Sequence, residues 1–118
     1  MKAKDIRPFI PSKDYEESRS FYLALGFKVE HAGPDLSLCT KGECIFFLQN
    51  FYNEDFAKNL NLQLIVQDID EALAVISGVE EIEVMHSSIK QEHWGKVIYL
   101  WGPSGELWHV TELNCVEQ

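Results

Sequence analysis

The chain contains one pattern twice, beginning at Asp14-Tyr15-Glu16-Glu17-Ser18 and again at Asp68-Ile69-Asp70-Glu71-Ala72. Each stretch opens a predicted helix that follows a short apolar run and ends near a glycine, Gly26 in the first copy and Gly78 in the second. An aspartate N-cap followed by acidic residues favours a helix start, because carboxylates stabilise the free amides and the positive end of the helix dipole. The repeat therefore predicts two similar structural units in one chain.

A second repeated pattern lies near the end of each unit. Lys41-Gly42-Glu43-Cys44-Ile45-Phe46-Phe47-Leu48 resembles Ser104-Gly105-Glu106-Leu107-Trp108-His109-Val110-Thr111, and both patterns indicate a glycine turn followed by a strand. The predicted strands are residues 6–11, 27–32, 36–40, 43–49, 60–67, 81–86, 96–101 and 106–112. The order β-α-β-β-β, read twice, predicts an α+β fold with a ligand cleft between two similar half-sheets.

The length and composition fit one domain. A chain of 118 residues with 46% hydrophobic and 12% aromatic content can bury one good core. We expect a single domain over residues 1–118, with module 1 at about 1–50, a linker with one helical turn at about 51–58, and module 2 at about 59–118. The polar segment 87–95 is predicted to be a loop that moves over the cleft and carries Trp94.

Charge and cysteine content exclude several classes of function. A net charge of −9 with no basic patch disfavours nucleic-acid binding. No stretch approaches the roughly 20 apolar residues of a membrane helix, and no apolar signal region follows Met1, so no membrane association and a cytoplasmic location are expected. Cys39, Cys44 and Cys115 are odd in number and lack C-x-x-C spacing, which disfavours disulfides and a thiolate zinc site.

Two longer strings point to a family. Asp14-x-x-x-Ser18-x-x-Phe21-Tyr22-x-x-x-Gly26-Phe27 and Trp101-Gly102-Pro103-Ser104-Gly105-Glu106-Leu107-Trp108 stand in the two units. With the duplicated unit, they resemble the superfamily of glyoxalase, bleomycin resistance proteins and extradiol dioxygenases, also called vicinal oxygen chelate (VOC) domain proteins. The resemblance covers nearly the whole chain. It implies two paired βαβββ modules with half-barrel sheets, a homodimer, and a cleft on the concave face of each sheet.

The resemblance also implies where a metal would bind. In metal-dependent members, ligands stand seven residues before the helix-capping Asp and four residues after the glycine of the last turn of each unit. Those positions hold Arg7, Phe46, Asn61 and His109. A guanidinium stays protonated, a phenyl ring offers no lone pair, and one imidazole does not hold a catalytic metal. We therefore predict no metal site, no cofactor and no catalytic residue.

Strand alternation extends the predicted cleft, since every second side chain shares a face. Phe9 is expected on the same face as Arg7, and Gln63 and Ile65 on the same face as Asn61. Thr111 is expected on the same face as His109, and Cys44 and Leu48 on the same face as Phe46. Trp94 is expected to close over the cleft from its loop. The predicted ligand-binding residues are Arg7, Phe9, Phe46, Asn61, Gln63, Trp94 and His109.

These residues predict a metal-independent protein that resembles bleomycin-resistance proteins and binds a small organic ligand of unknown identity. An acidic surface with an aromatic-lined cleft suits a cationic, ring-bearing ligand, although Arg7 opposes this locally. Two alternatives stay open. One is a glyoxalase- or dioxygenase-like enzyme with displaced ligands among His31, Gln49, His86 and His93. The other is an interaction module whose cleft is filled by its own side chains.

Overall fold

The computed structural model describes residues 1–79 and 84–114. In this part the elements are β1 (Phe9–Pro11), α1 (Tyr15–Ala24), β2 (Lys28–Gly33), β3 (Leu36–Lys41), β4 (Cys44–Gln49), α2 (Glu54–Lys58), β5 (Asn61–Ile65), α3 (Ile69–Ser77), β6 (Met85–His86), β7 (Lys90–Glu92), β8 (Gly95–Trp101) and β9 (Leu107–Leu113). The order β-α-β-β-β occurs twice, with the short strand β7 added in the second copy.

Each copy forms its own sheet. The first sheet has the strand order β1-β4-β3-β2, and the second has the order β5-β9-β8-β6, with β7 pairing to β8. The opening strand of each copy runs parallel to the closing one, β1 beside β4 and β5 beside β9, and the remaining pairs are antiparallel. The α+β fold with two similar sheets, predicted from the repeat, is confirmed.

The two repeated helices begin at the predicted caps. The Asp14 carboxylate accepts the backbone N–H of Glu17 at 3.1 Å. The Asp68 carboxylate accepts the N–H groups of Asp70 and Glu71 at 3.0 and 3.2 Å. These bonds satisfy amides that have no partner inside the helix. The shared capping explains why the two sequence stretches look alike.

Both helices cover the same side of their sheets, and one core joins the two copies. The Tyr22 ring on α1 lies 5.0 Å from the Phe46 ring on β4 and 5.9 Å from the Trp108 ring on β9. On α3, Ile69 and Ile76 are buried in the same apolar cluster. We call this the helix side of the sheets.

The opposite side of each sheet is less covered, and we call these two surfaces the open faces. Strand pairing and alternation assign their residues. The first open face carries Phe9, Leu38, Ile45 and Phe47; the second carries Asn61, Gln63, Ile65, Tyr99, Trp101, His109 and Thr111. Phe9 is 46% exposed and Ile65 is 48% exposed, so each open face leaves apolar surface uncovered.

Some element boundaries differ from the predictions. The first strand begins at Phe9 rather than at residue 6, because only residues 9–11 pair with β4. The predicted loop over residues 87–95 is partly wrong, since it contains β7, which pairs with the start of β8. The predicted strand at 81–86 lies partly outside the described residues, as does Cys115. None of the described helices is long and apolar enough to cross a membrane.

Candidate functional site

Two polar pairs lie side by side on the second open face. The His109 ring nitrogen Nε2 is 2.9 Å from the Asn61 side-chain oxygen, and the Gln63 amide donates to the Thr111 hydroxyl at 3.3 Å. The parallel pairing of β5 with β9 sets Gln63 opposite His109 and so brings the four side chains together. An amide oxygen only accepts, so His109 Nε2 carries the proton in this contact.

Tyr99 and Glu92 extend this polar row across the sheet. Tyr99 pairs with His109 in the β8–β9 ladder, and the two rings lie 5.2 Å apart in an edge-on arrangement. The Tyr99 hydroxyl donates to the Glu92 carboxylate at 3.1 Å. The pKa of the Tyr99 hydroxyl is raised, mainly by desolvation and secondly by its hydrogen bond to the Glu92 carboxylate. Asn61, His109, Tyr99 and Glu92 therefore form one row, which we call the polar row.

The first open face is aromatic where the second is polar. Phe9 and Phe47 stack with their ring centroids 4.8 Å apart. Arg7 lies just before β1, and its Nε donates to the Asp5 carboxylate at 3.0 Å with both side chains largely exposed. The hydrogen bond from Arg7 lowers the pKa of Asp5. The guanidinium charge is therefore balanced by a neighbouring carboxylate.

Phe46 was assigned to the wrong side of the sheet. It is only 3% exposed and packs on the helix side against Tyr22, Phe27 and Trp108. Leu48, predicted beside it in the cleft, is fully buried in the same core. Cys44, the first residue of β4, is exposed.

The error comes from different turn lengths in the two copies. Two residues separate the paired Lys41 and Cys44, whereas five separate the paired Trp101 and Leu107. Counting from the glycine therefore fails, but strand pairing does not: Phe9 pairs with Phe47 as Gln63 pairs with His109. Phe47 is the structural counterpart of His109.

A cavity of about 300 Å³ lies between the start of β4 in the first sheet and the edge strand β5 of the second. Two predicted site residues, Phe46 and Gln63, line it from different strands. We call it the arm cavity because the segment before β1 contributes to its wall. Its lining residues are Asp5, Ile6, Pro8, Phe27, Glu43, Cys44, Ile45, Phe46, Leu62, Gln63, Leu64, Ile65 and Trp108. The cavity is thus formed jointly by both modules.

Similarity to known proteins is found among solved structures. No family model matches the chain, and no curated protein matches it. Solved structures do match. A bleomycin-binding protein from Streptomyces verticillus, in complex with copper(II)-bleomycin, superposes with a TM-score of 0.80 at 17% identity, covering 97% of this chain and 99% of that one. The fold is that of the bleomycin-resistance proteins.

Two further structures agree. TnmS3, an antibiotic binding protein from Streptomyces sp. CB03234, gives a TM-score of 0.79 at 19% identity and covers 97% of this chain and 99% of its own. The fosfomycin resistance protein FosX from Listeria monocytogenes gives 0.78 at 10% identity, with 98% and 94% covered. The resemblance inferred from the repeated strings is therefore confirmed as a shared fold.

Trp94 occupies a two-residue turn of this bleomycin-resistance-like fold. The turn joins β7 to β8, and the Trp94 side chain is 40% exposed. Asn114 holds the turn against the end of β9: its backbone N–H donates to the Trp94 carbonyl at 3.1 Å and its side-chain amide to the His93 carbonyl at 2.8 Å. Trp94 is therefore anchored through its backbone rather than carried on a long loop.

The donors considered for a displaced metal site are spread over the fold. His31 is exposed on β2, Gln49 ends β4, His86 lies on the short strand β6, and His93 contacts Trp94. Across residues 1–79 and 84–114, no cluster of three or more His, Cys, Asp or Glu side chains has the geometry to hold a metal ion.

Several open-face residues were not singled out from the sequence. Tyr99, Glu92 and Phe47 join the polar row or the stacked pair, and Trp101 lies 37% exposed on the same face as Tyr99. Alternation along residues 95–101 signals the shared face of Tyr99 and Trp101. Glu92 carries no such signal, since its position depends on β7, a strand of three residues.

Proposed function

We propose that the protein binds a small organic ligand on its open faces without a metal, as a cytoplasmic homodimer. The observation that carries the proposal is the polar row. Asn61, His109, Tyr99 and Glu92 present hydrogen-bonding groups side by side on the face of the sheet opposite the helix side. Small-molecule sites combine a few oriented polar groups with apolar walls, and Ile65 and Trp101 supply such walls beside the row.

A second copy of the chain is a suitable cover for the open faces. Phe9, Ile65 and Trp101 leave large apolar side chains between 37% and 48% exposed on these two surfaces. Phe9 stacks on Phe47 on the first open face, and Ile65 and Trp101 flank the polar row on the second, so each face offers apolar surface that a partner would remove from water. Pairing of two chains would enclose a ligand between sheets, which an isolated open face does not do.

Charge favours a cationic, ring-bearing ligand. The chain carries a net charge of −9, and the carboxylate of Glu92 ends the polar row. Arg7, which opposed a cation when considered alone, is paired with Asp5. The likeness to a bleomycin-binding protein solved with copper(II)-bleomycin supports an organic ligand. Tyr99 and Trp101 offer ring faces for such a cation.

Metal independence rests on the side chains at the four positions where the family resemblance places metal ligands. With Phe47 in place of Phe46, as the strand pairing requires, these residues are Arg7, Phe47, Asn61 and His109. Only His109 is an imidazole, and its Nε2 is engaged with the Asn61 side chain. A borderline divalent ion needs several imidazole or carboxylate ligands, which this set does not offer. The alternative is a glyoxalase-type enzyme whose metal ligands lie at other positions. Ligand titration with and without added metal distinguishes it from a metal-independent binding protein.

The test uses copper-free bleomycin and a panel of aromatic cations and aromatic carboxylates, titrated with EDTA present. Tryptophan fluorescence reports binding, and size exclusion with light scattering reports the oligomeric state. We expect saturable binding of at least one cation by a dimer, weakened at least about tenfold by His109→Ala or Tyr99→Phe, because a lost hydrogen bond of about 1.4 kcal/mol changes affinity tenfold.

The matched control is His31→Ala, which removes an exposed imidazole from β2 on the first sheet. It is expected to bind as the unmodified protein does. Binding that appears only after a divalent metal is added would support the displaced-ligand enzyme. No saturable response to any probe, with the protein folded and dimeric, would support a cleft filled by its own side chains; either result overturns the proposal.

A further inference from the structure

A second cavity, of about 120 Å³, lies between the modules on the helix side, and we call it the helix-side cavity. One wall is helix α3, and the other comes from Leu25 and Phe27 in the connection between α1 and β2 and from Lys41 at the end of β3. The strands β5, β8 and β9 form its floor. Its lining residues are Leu25, Phe27, Lys41, Leu64, Val66, Glu71, Ala72, Val75, Ile76, Leu100 and Val110.

This cavity is separate from the proposed ligand site. Its floor residues Leu64, Leu100 and Val110 alternate along their strands with Gln63, Tyr99 and His109, which lie on the open face. Neighbouring residues in a strand point to opposite sides of the sheet, so the two sites lie on opposite faces. A ligand in one cannot touch the side chains that define the other.

The lining chemistry favours an apolar occupant over water. Nine of the eleven lining side chains are hydrocarbon, and none carries a hydroxyl or an amide. A buried water needs two to four polar partners, whereas apolar cavities of about 150 Å³ stay dry and take up benzene or xenon. The helix-side cavity, at about 120 Å³, is close to that size but opens to solvent beside the exposed Lys41, Glu71 and Val75, so an apolar guest enters it by displacing water from a hydrocarbon wall.

Two charged side chains line the opening of the helix-side cavity. Lys41 and Glu71 are the two charged lining residues, both are exposed, and they come from different modules. Their opposite signs leave no net charge at the opening, which favours an uncharged guest over an anion or a cation. Ala72, on α3 in the wall between them and the core, has a side chain too small to fill the space.

We propose that the helix-side cavity is a second ligand site, which takes one small uncharged apolar molecule of about the size of a single aromatic ring. The occupant contacts both modules, since Phe27 belongs to the first and Val110 to the second. Binding to the folded chain therefore stabilises it against unfolding, by an amount that grows with the logarithm of the ligand concentration once this exceeds the dissociation constant. The proposal does not depend on the ligand of the open face.

The test uses benzene, toluene and xenon as probes on the complete chain. In methyl-resolved NMR, we expect saturable shifts for Leu64, Val75 and Val110 with little change at Ile45 or Ile65, and a crystal under xenon pressure is expected to show an atom among Phe27, Ile76 and Leu100. Absence of both signals in the unmodified protein would overturn the proposal, as would shifts confined to the open-face methyl groups.

Two variants make the test specific. Ala72→Phe places a ring in the space and is expected to weaken benzene binding at least about tenfold, the fold-change of about 1.4 kcal/mol. Ala74→Phe is the matched control, since it makes the same change on the exposed side of the same helix and is expected to bind as before. If Ala72→Phe does not fold, Val75→Phe narrows the mouth instead. Unchanged binding in a folded cavity variant contradicts the proposal.

Discussion

The Tyr22 hydroxyl donates a 2.5 Å hydrogen bond to the Glu106 carboxylate, and so links helix α1 of the first module to the residue that precedes β9 of the second. The same hydroxyl accepts the indole N–H of Trp108 at 3.0 Å. The other Glu106 oxygen accepts the backbone N–H of Ser104 at 3.1 Å. Glu106 is fully buried, and its burial raises the pKa of its carboxyl group.

Glu106→Gln is expected to remove the loss of stability that ionisation of Glu106 causes as the pH rises. A carboxyl group whose pKa is raised by folding contributes stability below its unfolded value of about 4.5 and loses that contribution as the pH rises through its folded value. The ionised form therefore costs stability at neutral pH. An amide stays neutral at every pH, but it has one accepting oxygen where the carboxylate has two, so it also gives up the hydrogen bond from Tyr22 or from the Ser104 N–H. Urea unfolding from pH 4 to pH 8 measures both proteins, and the stability of Glu106→Gln relative to the unmodified chain is expected to rise with the pH.

Glu43→Gln serves as the control for that series, because Glu43 is an exposed residue of the β3–β4 turn. It is expected to leave the dependence of stability on pH nearly unchanged. If the stability of Glu106→Gln relative to the unmodified chain does not rise between pH 4 and pH 8, the raised pKa of Glu106 is contradicted.

Tyr22→Phe is expected to lower the free energy of unfolding by about 2 to 3 kcal/mol. The change leaves a buried carboxylate oxygen and the Trp108 indole N–H without a partner, and such groups cost more than a neutral pair. Tyr15→Phe is the comparison, because among residues 1–79 and 84–114 the Tyr15 hydroxyl hydrogen-bonds only to the Ser37 hydroxyl, at 2.6 Å. We expect it to cost about 1 kcal/mol in the same denaturant titration. Equal losses in the two variants would contradict this account of the network.

Gly102→Ala is expected to destabilise the protein by about 1 to 3 kcal/mol, the usual cost of overpacking. A β-carbon at position 102 would lie 2.3 Å from the carboxyl carbon of Glu106, too close for both to remain in place. Thermal unfolding measures the loss. Gly33→Ala is the matched control, since its β-carbon would meet only the Leu36 side chain at 3.8 Å. If both variants unfold at the same temperature, the Glu106 side chain has room that its contacts do not indicate.

Two cysteines should differ in reactivity toward iodoacetamide. Cys44 is exposed, whereas Cys39 is buried and its desolvation raises the pKa of its thiol to about 12. The thiolate is the reactive form, so Cys39 is expected to remain unlabelled at pH 8 until denaturant is added. Mass spectrometry of a Cys115→Ser background counts the labels. Rapid labelling of both sites in the folded protein would contradict the burial of Cys39.

Local sequence chemistry was enough to predict much of the fold. Asp14 and Asp68 specify the helix starts because each carboxylate satisfies nearby amides. The apolar strand runs and the two glycine turns specified the repeated unit. It was harder to predict which side of the sheet each strand residue faces. Phe46 and Phe47 are adjacent aromatic residues, and only the pairing of Phe9 with Phe47 decides which of them lies on the open face.

The candidate site depended on contacts that no local pattern encodes. His109 was found because its strand alternates and because it stands after a recognisable turn, but its partner Asn61 is 48 residues away. Arg7 was expected in a strand, yet its pairing with Asp5 depends on where β1 begins. Glu92 reaches Tyr99 only through the short strand β7. Long-range pairing therefore determines the site more than local propensity does.

The central claim is that the open-face site works without a metal. Its most direct test is elemental analysis of protein purified without chelator, incubated with zinc, nickel, iron and manganese salts in turn, and desalted. The account predicts far less than one tightly held ion per chain in every case. One retained ion per chain with any of these metals would contradict it, and loss of that ion in His109→Ala would assign the ion to the open-face site.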